Sequence, residues 1–218
     1  MFEVKVFTLY PDLYPGPLNT GIYKKAQEKK IWNLKVINIR DYATDKHNSV
    51  DDTPFGGGNG MLLRPDVIAS ALDANLENNE TTIYLSPKGK KFDQNYAKKI
   101  SNKNINIICG HFEGTDERIL ETRNIEEISI GDFILSWGEI GAFVVIDAVV
   151  RLLPGVIGNS NSLSEESFER NLLEYPQYTK PQKWEEKEVP EVLLTGDHKK
   201  IKDWRLAQSE DITRRRRL

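Results

Sequence analysis

Short apolar, β-rich runs alternate with helix-patterned stretches through the first two-thirds of this 218-residue chain. Val4–Leu9, Leu34–Ile39, Thr81–Leu85, Ile105–Cys109 and Ile128–Ile130 read as strands. Helical spacing falls within Asn19–Lys30 and over Pro65–Ala74, Phe92–Ile100, Asp116–Thr122 and Ala142–Leu153. A β-α-β rhythm sustained this long predicts an α/β fold with a mostly parallel sheet and helices on both faces, because parallel neighbours need long crossovers and helices supply them. After Pro154-Gly155 the rhythm stops, and Gly158–Ser162 is a Gly/Asn/Ser run without apolar periodicity that reads as a linker. Tyr175–Pro190 is rich in Pro, Trp and Tyr, and His198–Ser209 regains helical spacing through Ile201, Trp204 and Leu206. The expected division is a sheet domain over 1–157, a linker over 158–173 and a small, mainly helical second domain over 174–218.

At 39% hydrophobic and 29% charged residues the composition is that of an ordinary globular protein. No stretch approaches the roughly 20 apolar residues that span a bilayer, and no basic segment followed by an apolar core opens the chain, so a cytoplasmic address without membrane attachment is expected. The lone Cys109 has no disulfide partner and reads as a small buried apolar residue, while His47, His111 and His198 are too scattered to suggest a structural metal. The formal charge of −3 conceals an asymmetry: Thr195–Leu218 holds eight basic and four acidic side chains, leaving 22 basic and 29 acidic in the first 194 residues. A segment at +4 behind a body at −7 suits a basic arm for a polyanion, and equally a solvated helix end.

Glycines cluster at Gly56-Gly57-Gly58-Asn59-Gly60, at Gly110 and Gly114, and at Gly131, Gly138 and Gly141. The last two clusters follow predicted strands, where ligands of open α/β sheets bind and where glycine lets backbone approach a ligand, although capping is the commoner role of any single glycine. Neither GxxxxGK[ST], nor GxGxxG after the first strand, nor GxSxG occurs, which argues against ATP, NAD and a serine nucleophile.

Ser86-Pro87-Lys88-Gly89, Cys109-Gly110-His111-Phe112-Glu113-Gly114-Thr115-Asp116-Glu117-Arg118 and Ile128-Ser129-Ile130-Gly131-Asp132-Phe133-Ile134-Leu135-Ser136 resemble the bacterial tRNA (guanine-N1) methyltransferases. The resemblance continues through Asp45-Lys46-His47, Val50–Met61, Arg151, Pro154-Gly155-Val156 and Tyr178-Thr179, so it covers nearly the whole chain in the family's order and spacing. It implies a SPOUT fold with a deep trefoil knot, which departs from the rule against threaded chains. It also implies a homodimer whose sites draw on both subunits, with S-adenosylmethionine as cofactor and tRNA as partner, without DNA; a magnesium requirement stays open. By motif the cofactor residues are Tyr84, Leu85, Ser86, Pro87 and Gly89, then Gly110, Phe112, Glu113 and Gly114, then Ile130, Gly131, Asp132, Phe133, Ile134, Leu135 and Gly138. The implied target is N1 of the guanosine at position 37, immediately 3′ of the anticodon, methylated to keep the reading frame.

Guanine N1 carries a proton at neutral pH, so its methylation needs a general base, and a cation near O6 stabilises the negative charge that develops there. The resemblance assigns the cation to Arg151, which also suits a helix C-terminus. The family's base is the aspartate of an Asp-Ser-Phe motif; here Glu165-Glu166-Ser167-Phe168 occupies the stretch, with Glu166 in that position and Glu165 as its substitute. Trp137 stands where the family usually has glycine and Gly141 where it has proline, so Trp137 is placed to narrow the pocket or close over the adenosine. His47, Gly56, Gly57 and Gly58 are expected near the flipped guanine, and Lys199, Lys200 and Arg205 at tRNA phosphates. A knotted methyltransferase acting elsewhere on RNA and a non-catalytic RNA-binding protein are the rival readings.

Overall fold

A computed structural model describes residues 1–158, 166–168 and 171–216. Contacts divide the chain into two units, Met1–Gly158 and Asn159–Leu218.

The first unit is α/β. Its strands are β1 (Phe2–Thr8), β2 (Trp32–Asn38), the short β3 (Asp51–Asp52) and β4 (Leu62–Leu63), β5 (Thr81–Lys91), β6 (Ile105–Ile108) and β7 (Glu126–Ser129). Its helices are α1 (Gly21–Glu28), α2 (Pro65–Asp73), α3 (Gln94–Ile100), α4 (Glu117–Thr122) and α5 (Gly138–Val150). Five strands form one sheet in the order β2-β1-β6-β5-β7, and every neighbouring pair is parallel. This agrees with the parallel sheet read from the alternation.

Successive strand side chains point to opposite faces, and each face has its own core. Val4, Val6, Ile83, Ile107 and Ile128 pack with α5 residues Val145, Ile146 and Val149 and with Ala97 and Ile100 of α3. Phe7, Ile37, Tyr84 and Ile108 pack with Val67, Ile68 and Leu72 of α2 and with Ile119 and Leu120 of α4. Burial on both faces is why these strands read as continuous apolar runs instead of alternating ones. Cys109 is wholly buried in the α5-side core.

Two elements differ from their sequence limits in ways that shape the site. Leu85 and Lys90 of β5 both align with Ile128 of β7, so residues 86–89 bulge out of the strand. Helix α5 starts at Gly138, four residues before the apolar run that signals it, because Gly138 and Gly141 in its first turn mask the period.

In the second unit, β8 (Lys183–Trp184) and β9 (Lys187–Glu188) form a small antiparallel hairpin, a 3-10 turn covers Glu191–Leu194, and α6 runs over His198–Arg216. The hairpin lies inside the Pro/Trp/Tyr-rich stretch, whose strands are too short for a periodic signal. Among the described residues no helix is long and apolar enough to cross a membrane.

Candidate functional site

Strands β6, β5 and β7 are adjacent, and the segments at their carboxyl ends enclose a cleft of about 440 Å³. The β5 bulge lines it with Leu85, Ser86 and Pro87 beside Tyr84, and the segment after β6 contributes Gly110, Phe112, Glu113 and Gly114. Ile130, Gly131, Phe133, Ile134 and Leu135 come from the segment after β7, and Gly138 from the start of α5. Fourteen of the sixteen motif-derived cofactor positions thus share one cavity. Gly89 and Asp132 are not in the lining. Gly89 instead closes the bulge: a Cβ there would lie 2.4 Å from the Ile128 backbone nitrogen. Asp132 is exposed on its loop. His111, Thr115 and Gly141 also line the cleft, although none was among the motif-derived cofactor residues; all three lie within or beside the motifs.

Backbone proximity explains the glycines. Gly138 N–H donates to Gly110 O at 3.0 Å, and a Cβ on Gly138 would stand 2.4 Å from the Gly110 nitrogen. A Cβ on Gly110 would meet the Tyr84 hydroxyl at 2.9 Å. Phe112 takes a left-handed φ of +56°, uncommon for an aromatic residue, and Gly114 follows at +125°. Trp137 does not line the cleft; it stacks on Tyr10, with ring centroids 5.4 Å apart and planes 14° apart. Its bulk therefore packs against the segment after β1.

Behind the cleft, Glu139 is fully buried, and its Oε1 accepts hydrogen bonds from the Thr8 hydroxyl and from His111 Nε2 at 2.7 Å. These contacts tie the end of β1, the segment after β6 and the first turn of α5 together. Burial by itself would raise the Glu139 carboxyl, but the hydrogen bonds from His111 and Thr8 and the imidazole's charge hold it below the usual glutamate range. A depressed folded pKa contributes stability that is complete above the unfolded value of about 4.3 and lost as pH falls through the folded one. Glu139→Ala is expected to cost about 3 kcal/mol at neutral pH, since it strips a buried pair of one member. Urea unfolding of Glu139→Gln should differ most from wild type at pH 7 and converge with it in acid; a gap independent of pH would show that Glu139 is not ionised in the fold.

The glycine loop between β3 and β4 abuts the same site. Glu113 N–H donates to Met61 O at 3.0 Å and Leu63 N–H to Gly114 O at 2.9 Å, while a Cβ on Gly60 would lie 2.3 Å from Glu113 Cγ. Gly56, Gly57 and Gly58 are exposed on this loop with φ of +86°, +80° and +130°. His47 is exposed in a turn held by Asp45, whose carboxylate accepts from the His47 and Ser49 N–H groups. Arg151 is half-buried at the C-terminal end of α5, where its N–H donates to Asp147 O. Burial lifts the Asp147 carboxyl above its usual range, and the Arg151 charge opposes that shift.

In the second unit Glu166 is half-buried, in a turn where Ser167 Oγ accepts from Glu174 N–H and Phe168 has φ of +76°. Glu165 lies outside the described residues. Lys199 and Lys200 are exposed at the start of α6, their N–H groups donating to Asp197 Oδ1. Arg205 is half-buried, with its guanidinium over the Tyr175 ring. Among the described residues no three His, Cys, Asp or Glu side chains are grouped to hold a metal.

The cleft suits a nucleoside-sized ligand. Leu85, Ile130 and Leu135 offer apolar surface, the Gly110–Gly138 contact brings backbone polar groups close, and the buried Thr115 Oγ1 has no hydrogen-bond partner among the described residues. A parallel α/β sheet with a cleft at the carboxyl ends of three adjacent strands defines the class, an open-sheet α/β protein with its cleft where such sheets bind ligands. The sequence pattern of the tRNA (guanine-1)-methyltransferase TrmD family matches residues 2–218, and the chain belongs to that family. A protein of Pelagibacter ubique (strain HTCC1062) named tRNA (guanine-N(1)-)-methyltransferase is 67% identical over 218 residues, covering 100% of this chain and 96% of the relative. Relatives of the same name from Wolbachia sp. subsp. Brugia malayi (strain TRS) and Rhodospirillum rubrum are 52% and 50% identical. They align over 100% and 97% of this chain and 94% and 89% of their own lengths.

Proposed function

We propose that the protein methylates N1 of a tRNA guanine, the guanosine 3′ of the anticodon, from S-adenosylmethionine. The observation that carries this reading is the convergence of three motif-bearing segments, separate in sequence, on one cleft closed by the Gly110–Gly138 contact. When bound, S-adenosylmethionine supplies an electrophilic methyl group on a sulfonium. The chain's residues do the rest. Leu85, Ile130 and Leu135 hold the adenosine away from water, and backbone groups around Gly110 and Gly138 orient it. Glu166 takes the proton from guanine N1 as that atom attacks, and the Arg151 guanidinium offsets the charge growing on O6. His47 and the exposed Gly56–Gly58 loop receive the flipped guanine, and Lys199, Lys200 and Arg205 meet the tRNA.

A trefoil knot belongs to this reading, supported by the way the chain beyond β7 returns to seat Gly138 on the Gly110 backbone. So does a homodimer. Ile140 and Val144, one turn apart on α5, remain 49% and 46% exposed, an apolar pair suited to a second copy. In that dimer each site draws residues from both subunits, and the second unit serves as the tRNA-binding domain.

Purified protein, S-adenosylmethionine and unmodified tRNA, with and without magnesium, are expected to yield N1-methylguanosine on nucleoside digestion. A ribose-methylated nucleoside would move the target elsewhere on RNA. Retained tRNA affinity without calorimetric binding of S-adenosylmethionine would instead mark a non-catalytic RNA-binding protein.

A further inference from the structure

The second unit contains a cleft of its own, about 440 Å³, between the extended stretch Tyr175–Gln182, the Glu191–Leu194 turn and α6. Its floor carries a cation with an unmet donor. The Arg205 guanidinium carbon lies 4.7 Å from the centre of the Tyr175 ring, and Arg205 Nε is buried without a hydrogen-bond partner among the described residues. Stacking on Tyr175 fixes the plane of the guanidinium, and Arg205 is among the residues that line the cleft. Tyr178 and Leu194 form half-exposed walls, at 49% and 50% exposure, and the Tyr178 ring leans on Trp204 with centroids 6.4 Å apart. Lys180 is exposed at the rim. In a chain with 33 acidic residues, no Asp or Glu among the described residues lines this cavity.

A cavity lined by flat aromatic and guanidinium groups with a second cation at its mouth fits a planar ring that bears acceptors and trails a phosphate. We infer that it receives one unpaired nucleobase of the tRNA, distinct from the methylated guanine. The base stacks on Tyr178, accepts from the Arg205 guanidinium and leaves its phosphate near Lys180. Tertiary RNA offers such bases from loops and bulges, and proteins read them by this combination of stacking and edge hydrogen bonds. Arg205 thus acts as a base reader, where sequence alone suggested a phosphate contact. The inference rests on the reading of the chain as a tRNA-modifying enzyme.

The test is titration of full-length protein with unmodified tRNA at several salt concentrations, using Arg205→Lys and Tyr178→Ala. Lysine keeps the charge but loses the planar stack and the Nε donor. Each variant is expected to weaken tRNA binding about tenfold without changing the slope of log affinity on log salt, and without changing the calorimetric affinity for S-adenosylmethionine. Tyr178 is half-exposed, so its truncation tests the pocket even if Arg205→Lys disturbs the packing on Tyr175. Wild-type tRNA affinity in both variants would remove the pocket and leave the enzyme reading standing. Wild-type affinity in Arg205→Lys beside a loss in Tyr178→Ala would show that charge alone suffices at Arg205, make that contact a phosphate contact and overturn base reading. A wild-type protein that binds no tRNA would overturn the inference and the reading beneath it together.

Discussion

Glu166→Gln is expected to slow methyl transfer by roughly 10²–10⁴-fold in single turnovers, while calorimetric affinity for S-adenosylmethionine stays at the wild-type value. The amide is nearly isosteric with the carboxylate but cannot accept the N1 proton, so the loss falls on the chemical step and not on binding. The turn that carries Glu166 is held by the Glu174 N–H donating to Ser167 Oγ, a bond that so small a change leaves in place. The neighbouring Glu165 supplies the natural control. If Glu166→Gln turns over normally but Glu165→Gln is slow, the base sits one residue earlier. If the double variant is still fast, neither glutamate takes the proton and the proposed chemistry fails.

Gly138→Ala is expected to abolish measurable cofactor binding, with the dissociation constant rising at least about 30-fold. The added Cβ would stand 2.4 Å from the Gly110 nitrogen and 2.9 Å from the Cys109 carbonyl carbon. Those are backbone atoms, so no side-chain rotation relieves the contact. Either α5 or the segment after β6 must move, which breaks the Gly138–Gly110 hydrogen bond and opens the cleft between them. Overpacking of this kind commonly costs about 1–3 kcal/mol in stability, and here it falls where two cofactor segments meet. Gly158→Ala is the matched control: its added Cβ meets nothing within 4 Å. Wild-type affinity in Gly138→Ala would mean that the Gly110–Gly138 contact does not shape the site.

Much of the first unit was legible because its signals are local. The runs at Val4, Leu34, Thr81, Ile105 and Ile128 each became a strand, since a strand buried on both faces must be apolar throughout, although β5 runs on to Lys91, past the expected limit at Leu85. The motifs near Ser86, Gly110 and Gly131 were equally plain as a resemblance. Other features were not legible. Nothing local tells Trp137 to stack on Tyr10 instead of over the cleft, because the two are 127 positions apart and meet only when the segments after β1 and β7 come together. The β8–β9 hairpin leaves no periodic trace in two-residue strands. Glu139 precedes the Ala142–Leu153 run and carries no signal of its own in the sequence, yet it is wholly buried, because its partners Thr8 and His111 lie at other strands' ends.

The sequence by itself determined the parallel α/β class, the family and most of the residues that line the cleft, because hydrophobic period and motif order are properties of neighbouring residues. Only the tertiary structure decided how those residues meet: that Gly138 must be glycine because Gly110 lies against it, that Gly89 closes the β5 bulge against Ile128, and that Arg205 lies over Tyr175 with a buried N–H unanswered among the described residues. Such facts depend on distances between segments far apart in the chain, and those distances exist only once both faces of the sheet are packed and the second unit has folded on its own aromatic residues.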